Sequence, residues 1–426
     1  MTTAVPLLPA MPQLWSDPAA GLARLGRQAG PVVARLGPRL AKTFLVTDPD
    51  HVQYVLRGNP GNYAREGLMW DQLQRLEGNG LAGEGPEWDR SRRLVQKMFT
   101  GPYLGSVMGL LTDAIGQAVD ELPDDREVDL TEAMTRIIHR ALLVAFFGNR
   151  ITLPEAEQLG RSISGALSAL GSRLVLSFMP QWFPLPGDLQ FRAALRTIDA
   201  IIYPLVEAAR REPGDDFVSR LCRARDEYGG GLTDQQIRDD VVSMFVAGSE
   251  TIGHTLSWFW ILLDHHPAVA ERVAAEAITA ADPRSMQYTW MVLQETLRIY
   301  PGSWMIPRKA READTIAGVA IPAGANIVLT PFLTHRLPHL WPDPEVFDPE
   351  RFAPDKQRHQ FAWYPFGEGV HKCLGQRLSI MEAQMVVSAM LRRFRVSVPG
   401  SESIRADRAL SLRPKGFVPL VLERRA

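Results

Sequence analysis

Residues 366–375 read Phe-Gly-Glu-Gly-Val-His-Lys-Cys-Leu-Gly, and this loop decides how the rest of the chain is organised. Cys373 is one of only 2 cysteines, which excludes a disulfide scaffold and a cysteine-rich zinc site. Gly367, Gly369 and Gly375 permit a tight turn and a close approach of the backbone to a flat ligand. A helical pattern starts directly after the loop, and N–H groups at a helix N-terminus lower the pKa of a nearby thiol. The stretch predicts a cysteine held as a thiolate.

A long helix is the second organising element. Thr233 and Gln236 form a capping box, and apolar periodicity continues from there to His266. That length, about 33 residues or roughly 50 Å, is enough to cross a whole domain. The centre reads Ala247-Gly248-Ser249-Glu250-Thr251, where a core helix would be apolar. Small residues there allow a ligand to approach, although a glycine at a helix crossing with Glu250 on a wet face also fits the pattern.

Together these motifs resemble the cytochrome P450 family. Phe366-x-x-Gly369-x-x-x-Cys373-x-Gly375, with the basic His371 two residues before the cysteine, resembles the heme-binding loop of that family. The resemblance implies heme b as the cofactor, with the Cys373 thiolate as the axial ligand of its iron. It also implies a mainly α fold with small β-sheets and a long central helix crossing over the heme. We expect residues 1–426 to form a single heme domain, in which residues 1–14 are a Pro-rich lead-in.

The centre of the long helix resembles the oxygen-activating segment of the family. The resemblance implies that Thr251 and Glu250 deliver protons during the reductive activation of O₂. It also implies that Ala247 and Gly248 lie against the heme, where their small size leaves room. Because Thr251 and Glu250 are adjacent in a helix, their side chains point to different faces. One of the two side chains would face the iron, and the other would face a route by which water enters.

Heme carries two propionates, and three residues match family positions that bind them. They are Trp88 and Arg92, in the pattern Trp-x-x-x-Arg on one predicted helix, and Arg308. Many bacterial relatives have histidine where this chain has Trp88, but an indole N–H can also donate to a propionate. His335 and Arg336 are weaker candidates for the same role.

Three further residues have an implied structural role. Glu295-x-x-Arg298 places an acid and a base on one helix face, where they can pair. Arg351 follows in a Pro-Glu-Arg-Phe segment. In the family, such residues form a buried Glu–Arg–Arg cluster that holds the loop presenting the thiolate. The resemblance implies the same role for Glu295, Arg298 and Arg351.

Composition narrows the class of protein further. The chain has 426 residues, of which 46% are hydrophobic, and a formal net charge of −1, so nothing favours a nucleic-acid partner. Its N-terminus lacks a basic leader, and the most apolar later stretch, 241–263, is interrupted by Glu250 and His254. We therefore expect no membrane anchor and a cytoplasmic location, which two widely separated cysteines also favour.

Local patterns predict the secondary elements. Helical patterns are predicted over 21–28, 49–57, 88–281 and 286–300, and strands over 31–36, 43–46, 319–321, 326–329, 394–398 and 417–421. Residues 58–87, rich in Gly, Asn and Glu, predict a mobile loop that carries binding residues. The apolar, Pro-punctuated residues 179–186 fit either a lid over an apolar cavity or a loop packed on the core.

The expected function is a monooxygenase that hydroxylates or otherwise oxidises an apolar small molecule in bacterial secondary metabolism. The expected pocket contributors are residues 62–85 with Trp70, 165–187, 245–251, and 303–306 with Trp304. Two alternatives stay open. One is oxidative coupling, cyclisation or desaturation with the same cofactor. The other is a non-catalytic heme sensor or carrier, against which the Glu250-Thr251 pair argues because a carrier needs no proton relay.

Electrons are expected from separate proteins. A chain of 426 residues leaves no room for a fused flavin or iron–sulfur domain, so the expected donors are a ferredoxin and its reductase. The expected docking face consists of five basic residues, Arg90, Arg93, Lys97, Lys372 and Arg377.

Overall fold

The computed structural model describes residues 4–5, 21, 24, 34–36, 42–175, 179–180, 182–407 and 411–425. The helix predicted over 21–28 lies largely outside these residues, as does the first half of the strand predicted over 31–36. The described α-helices are α1 (Pro49–Gln53), α2 (Leu68–Glu77), α3 (Pro86–Gln96), α4 (Gly101–Asp120), α5 (Leu130–Phe147), α6 (Leu153–Ala169), α7 (Gly171–Val175), α8 (Asp188–Arg211), α9 (Phe217–Arg223), α10 (Asp234–His265), α11 (Pro267–Thr279), α12 (Gln287–Ile299), α13 (Pro331–Thr334) and α14 (Gln376–Arg393).

Short strands and helical turns complete the described structure. The strands are β1 (Ala4–Val5), β2 (Ala34–Leu36), β3 (Thr43–Val46), β4 (Tyr63–Ala64), β5 (Val128–Asp129), β6 (Ile306–Ala310), β7 (Asp314–Ile316), β8 (Val319–Ile321), β9 (Asn326–Leu329), β10 (Phe394–Ser397), β11 (Ala406–Asp407), β12 (Arg413–Pro414) and β13 (Pro419–Arg424). A π-helical turn follows α1 at Tyr54–Gly58. The expectation of a mainly α fold with small sheets is confirmed.

The long helix α10 forms the centre of the molecule. The Thr233 hydroxyl accepts the Gln236 N–H at 3.2 Å, and the Gln236 side chain accepts the Thr233 N–H at 3.0 Å, so the predicted capping box is confirmed. The helix ends at His265, one residue before the predicted end. Nearly all of its residues between Ile237 and Leu263 are buried, because α5, α8 and α12 pack around it. No helix in the described part of the chain is both long and apolar enough to cross a bilayer.

A six-stranded sheet in the order β1-β2-β3-β9-β6-β4 carries two segments to the site. β3 runs parallel to β9, whereas β6 is antiparallel to it, with Arg308 opposite Ile327. β4 pairs antiparallel with β6, so that Ala64 lies opposite Lys309. Arg65 directly follows β4, and the pairing therefore brings it to the same region as Arg308.

The prediction of a mobile loop over residues 58–87 is wrong. The segment contains β4 and the ten-residue helix α2. Leu73 and Leu76, three residues apart on α2, are buried in the protein core. Gly67 and Gly78 bound the helix with φ of 66° each, a left-handed conformation that glycine adopts without strain. Because of these glycine-rich flanks, the sequence pattern did not indicate the short amphipathic helix between them.

Candidate active site

The loop that carries Cys373 turns tightly between Phe366 and the start of α14 at Gln376. The Cys373 N–H donates to the Phe366 carbonyl at 2.9 Å, which closes the turn. Gly367 and Gly369 have φ of 63° and 74°, where a side chain would be strained. The cysteine side chain is accessible at the end of this turn.

Opposing effects act on the Cys373 thiol. Protein atoms surround the sulfur even though it is accessible, and this burial raises its pKa. The N–H groups of Gly375 and Gln376 donate to the sulfur, and Arg92 and Arg65 attract negative charge, but these effects do not outweigh burial. The N–H groups expected from the sequence do lower the pKa of this thiol, and burial, which the sequence does not show, acts against them. The same four groups are nevertheless placed to stabilise a thiolate that binds a cation.

The π-helical turn Tyr54–Gly58 packs closely against the cysteine loop, residues 366–375. A Cβ atom at Gly369 would lie 1.9 Å from the carbonyl oxygen of Leu56. Arg57 of the same turn pairs with Glu368 at 3.1 Å. The close approach and the positive φ together require glycine at position 369.

Gly369→Ala is expected to lower the free energy of unfolding by more than the cost of a positive φ alone. That cost is roughly 1–2 kcal/mol. Gly324→Ala measures it separately, because Gly324 has a φ of 75° with open space around it. Urea unfolding and the heme content of the purified variants check the prediction. Equal losses in the two variants would mean that the Leu56 carbonyl moves aside easily, contrary to our expectation.

Residues from three parts of the chain meet beside the cysteine loop. Arg92 Nη2 donates to the Lys372 carbonyl at 2.7 Å. The Trp88 ring lies 4.2 Å from the His371 ring, measured between centroids. Arg65, which sequence reasoning missed, donates from Nη2 to the His371 carbonyl at 3.2 Å. No local pattern around Arg65 signals this position, since strand pairing carries it there.

Arg308 reaches the same region from β6. Its residue is only 4% exposed, and its guanidinium carbon lies 5.8 Å from the centre of the Trp70 ring. Arg65 lies 5.0 Å from the same ring. Trp70 Nε1 donates to the Pro307 carbonyl at 2.9 Å, which fixes the indole. Trp70, predicted as a pocket residue, thus supports the two arginines through cation–π contacts.

The charge in this region fits the anionic edge of a heme. Burial, together with repulsion from a neighbouring arginine, lowers the pKa of Arg65 to about 10 and that of Arg308 to about 9. Burial is also the main reason that the pKa of His371 falls to about 4. Arg65 Nε and His371 Nδ1 are buried and lack a hydrogen-bond partner within the described residues. Two buried arginines, one of them with an orphaned N–H group, favour an anion beside them, and two propionates would supply it.

The small residues at the centre of α10 lie in different environments. Thr251 Oγ1 donates to the Ala247 carbonyl at 2.5 Å. A Cβ atom on Gly302 would lie 3.6 Å from the Thr251 Cβ, so the threonine faces the segment after α12. Ala247 is exposed although most of the helix around it is buried, which suits a residue beside a ligand cavity. Gly248 packs against Leu142 of α5, where an added Cβ would lie 3.2 Å from a methyl group, so it occupies a helix crossing.

Glu250 has neighbours that differ from those of Thr251. Its carboxyl interacts with Ser164 of α6 and is attracted by Arg413 of β12. Burial raises the pKa of Glu250, and these two partners only partly offset that effect. Glu250 therefore holds a proton more readily than an exposed glutamate does.

Glu295, Arg298 and Arg351 meet in the protein interior. Arg298 forms two hydrogen bonds to Glu295, Nε to Oε2 at 2.7 Å and Nη2 to Oε1 at 2.9 Å, and both side chains are 0% exposed. Arg351 Nε lies 3.5 Å from Glu295 Oε1. The Asp348 N–H also donates to Glu295 Oε1 at 2.9 Å. One buried acid thus joins α12 to the chain segment that carries Arg351.

His335 and Arg336 belong to this interior cluster. The His335 carbonyl accepts from Arg298 at 3.0 Å, and its Nε2 accepts the Tyr364 N–H at 3.0 Å. Arg336 pairs with Glu345 at 3.2 Å. In the described structure neither residue contacts the arginines beside the cysteine loop, so the weaker propionate assignment is wrong for both.

The apolar loop at 179–186 is anchored at its base. Arg173 donates to the Pro180 carbonyl at 3.0 Å and to the Phe183 carbonyl at 2.5 Å. Trp182 is 82% exposed, so its indole is not packed on the core. One predicted alternative, a loop packed on the core, does not hold for Trp182. The other, a lid over an apolar cavity, remains a hypothesis.

Comparison with known proteins agrees with this geometry. The family model for Cytochrome P450 matches residues 2–421. Cyclooctat-9-en-7-ol 5-monooxygenase from Streptomyces melanosporofaciens is 33% identical, over 93% of this chain and 89% of that protein. Pentalenene oxygenase from Streptomyces avermitilis is 28% identical, over 94% of this chain and 92% of that protein. The crystal structure of the cytochrome P450DA heme domain matches with a TM-score of 0.85 at 20% identity, covering 96% of this chain and 93% of that one. The chain therefore belongs to the cytochrome P450 family and is a monooxygenase whose cofactor is heme b.

Proposed function

We propose that this monooxygenase hydroxylates an uncharged carbocyclic terpenoid, either a hydrocarbon or a monoalcohol, in bacterial secondary metabolism. The observation that carries the substrate class is the similarity to cyclooctat-9-en-7-ol 5-monooxygenase, 33% identical over 93% of this chain. Pentalenene oxygenase, at 28% identity, supports the same class by its name. Cyclooctatin synthase from Streptomyces melanosporofaciens, 27% identical over 93% of this chain, also supports it. All three come from Streptomyces species.

The residues beside the cysteine loop would hold the cofactor. The Cys373 sulfur would bind the iron, with the Gly375 and Gln376 N–H groups stabilising its negative charge. Residues that would hold the propionates are Arg65, Trp88, Arg92, Arg308 and His371. Phe366, Gly367 and Gly369 shape the loop, and the Glu295–Arg298–Arg351 cluster supports it from the interior. When bound, heme with a thiolate ligand supplies the reductive activation of O₂.

Thr251 and Glu250 are proposed to supply protons to the site. Thr251 holds its proton at Oγ1, where it donates to the Ala247 carbonyl. Glu250 retains a proton to higher pH than an exposed glutamate, because burial raises its pKa. Ala247 is exposed next to these groups, and its small side chain leaves room for a ligand, whereas Gly248 serves the helix crossing with α5. This arrangement favours catalysis over a carrier function, because a carrier needs no proton donors.

Thr251→Ala is expected to uncouple electron consumption from product formation. The variant would still consume reducing equivalents, but product per electron would fall by about tenfold or more because a proton donor is lost. Thr255→Ala is the matched control. Thr255 lies one turn further along α10, and its Oγ1 donates to a backbone carbonyl in the same way, at 2.8 Å. The ratio of product to NADH consumed measures the effect, and full coupling in Thr251→Ala would contradict the proton-supply assignment.

An optical titration of the ferric protein tests the substrate class. Carbocyclic alkenes and alcohols are expected to shift the heme to high spin by displacing water from the iron. Macrolides, simple aromatics and peptide-derived compounds are the comparison set. A shift confined to one of those comparison classes would overturn the terpenoid proposal. Turnover under ¹⁸O₂ then separates the reactions, because hydroxylation places one labelled oxygen in the product whereas desaturation and coupling place none.

A separate acidic electron donor, a ferredoxin with its reductase, is proposed as the redox partner. Of the predicted docking face, Arg90 pairs with Asp226 at 2.8 Å and Lys372 with Glu368 at 2.8 Å. The remaining members, Arg93, Lys97 and Arg377, are exposed. Lys97 also lines a surface cleft of about 460 Å³ together with Arg220, Arg223 and Arg225. This concentration of positive charge supports an acidic partner.

A further inference from the structure

Glu84 lies between the two segments that converge on the cysteine loop. Its Oε2 accepts the backbone N–H of Arg65 at 2.7 Å. Its Oε1 lies 3.4 Å from His371 Nε2. One carboxylate therefore anchors the backbone that carries Arg65 and the ring of His371. No sequence pattern indicates this contact, because Glu84 falls in the glycine-rich stretch predicted as a mobile loop.

This carboxylate is shielded and firmly ionised. The Glu84 side chain is 18% exposed, and that of its partner His371 is 5% exposed. Burial alone would raise the pKa of Glu84, but hydrogen bonds from His371 and from the Arg65 N–H hold it at about 2. A full negative charge therefore lies close enough to Arg65 and Arg308 to attract both guanidinium groups.

The orientation of the two anchored residues gives this contact a consequence. With Nε2 turned to Glu84, His371 leaves Nδ1 buried and without a partner in the described structure. Arg65 donates from Nη1 to Leu81 and from Nη2 to the His371 carbonyl, which leaves Nε buried and unpaired. Both orphaned atoms belong to residues that Glu84 anchors, Arg65 through its backbone N–H and His371 through its ring, so Glu84 helps to fix where the two side chains lie.

We propose that Glu84 is a positioning residue that holds Arg65 and His371 against the propionate edge of the heme and offsets part of the positive charge of Arg65 and Arg308. This inference rests on the heme site described above and names a residue that sets its properties. Two effects follow and can be separated. The charge of Glu84 disfavours the extra electron of the ferrous state, so it lowers the reduction potential. Its hydrogen bonds keep the propionate partners in place, so they slow heme loss.

Two substitutions separate charge from anchoring. Glu84→Gln removes the charge but retains groups that can hydrogen-bond Arg65 and His371, whereas Glu84→Ala removes both. Glu66→Gln is the matched control, because Glu66 directly follows Arg65 but pairs outward with Arg311 at 3.0 Å and is 40% exposed. Water and salt screen a charge at such a position. The heme-loaded full chain is used throughout, with the reduction potential measured by spectroelectrochemistry and heme loss by transfer to apomyoglobin.

Glu84→Gln is expected to raise the reduction potential more than Glu66→Gln does, with heme transfer close to the wild-type rate. Glu84→Ala is expected to raise the potential and also to speed heme transfer by about tenfold. The proposal is overturned if Glu84→Gln shifts the potential no more than Glu66→Gln, or if Glu84→Ala releases heme at the wild-type rate. Should Glu84→Ala fail to fold, the potential of Glu84→Gln decides alone. A reduced CO complex of the wild type without a thiolate spectrum would instead overturn the heme–thiolate assignment, leaving the two failures distinguishable.

Discussion

Cys373→Ser is expected to abolish product formation and the thiolate-type spectrum of the reduced, CO-bound protein. A serine hydroxyl has a much higher pKa than a thiol and does not supply the sulfur donor that favours O–O cleavage. The loop should survive the substitution, because Cys373 contributes its backbone N–H to the turn at 2.9 Å and serine retains that group. The measurement is the CO difference spectrum together with turnover of the substrate found by titration.

Cys222→Ser provides the matched control for this experiment. Cys222 is the other cysteine of the chain, is 5% exposed, and lies in the core at the end of α9. Burial raises the pKa of its thiol, so it is a neutral packing group. Its variant is expected to retain the thiolate-type spectrum. A Cys373→Ser protein that still shows this spectrum would exclude Cys373 as the iron ligand.

Glu295→Ala is expected to have the largest effect on stability. The substitution leaves Arg298 buried without its acid partner, removes the ion-pair partner of Arg351 and removes the acceptor for the Asp348 N–H. Breaking a buried pair by removing one member costs about 3–5 kcal/mol, since the remaining charge is uncompensated. Urea unfolding of the heme-loaded protein measures this loss, and the heme content reports whether the cysteine loop is still held.

Glu350→Ala is the control for the loss of an ion pair as such. Glu350 directly precedes Arg351 and pairs with Arg272 at 2.8 Å, but both side chains are more than half exposed, at 52% and 59%. An exposed pair contributes only about 0–1 kcal/mol. A similar loss of stability in the two variants would show that the interior position of Glu295 has no special importance, against our expectation.

Several parts of the site could be predicted from the sequence, because the residues that indicate them lie close together in the chain. The Glu295–Arg298 pair spans one helical turn, and its geometry follows once α12 forms. The capping box at Thr233 likewise depends on residues three positions apart. The cysteine loop carries its glycines within a few residues of Cys373. Such patterns do not contain the environment of each group. They indicate the N–H groups that lower the pKa of the Cys373 thiol but not the burial that raises it.

The error at His335 and Arg336 has a physical cause. Both were assigned to the propionates as weaker candidates, because their side chains suit that role. The partners of His335 come instead from distant segments, Tyr364 and Arg298. Side-chain chemistry restricts what a residue can bind, but packing of remote elements selects which partner it meets.

The sequence by itself determined the family, the mainly α architecture, the long central helix and the position of the axial cysteine, because each depends on residue types at short, fixed spacings. Only the tertiary structure decided the electrostatics around that cysteine. Arg65 donates to the His371 carbonyl across a separation of 306 residues, and it does so because β4 pairs with β6. Glu84 follows α2, which packs against α10, and it meets His371, far away in sequence, only in the folded chain. Charges and hydrogen bonds act over a few ångströms in space, so the contacts between distant segments that set them become visible only in the folded chain.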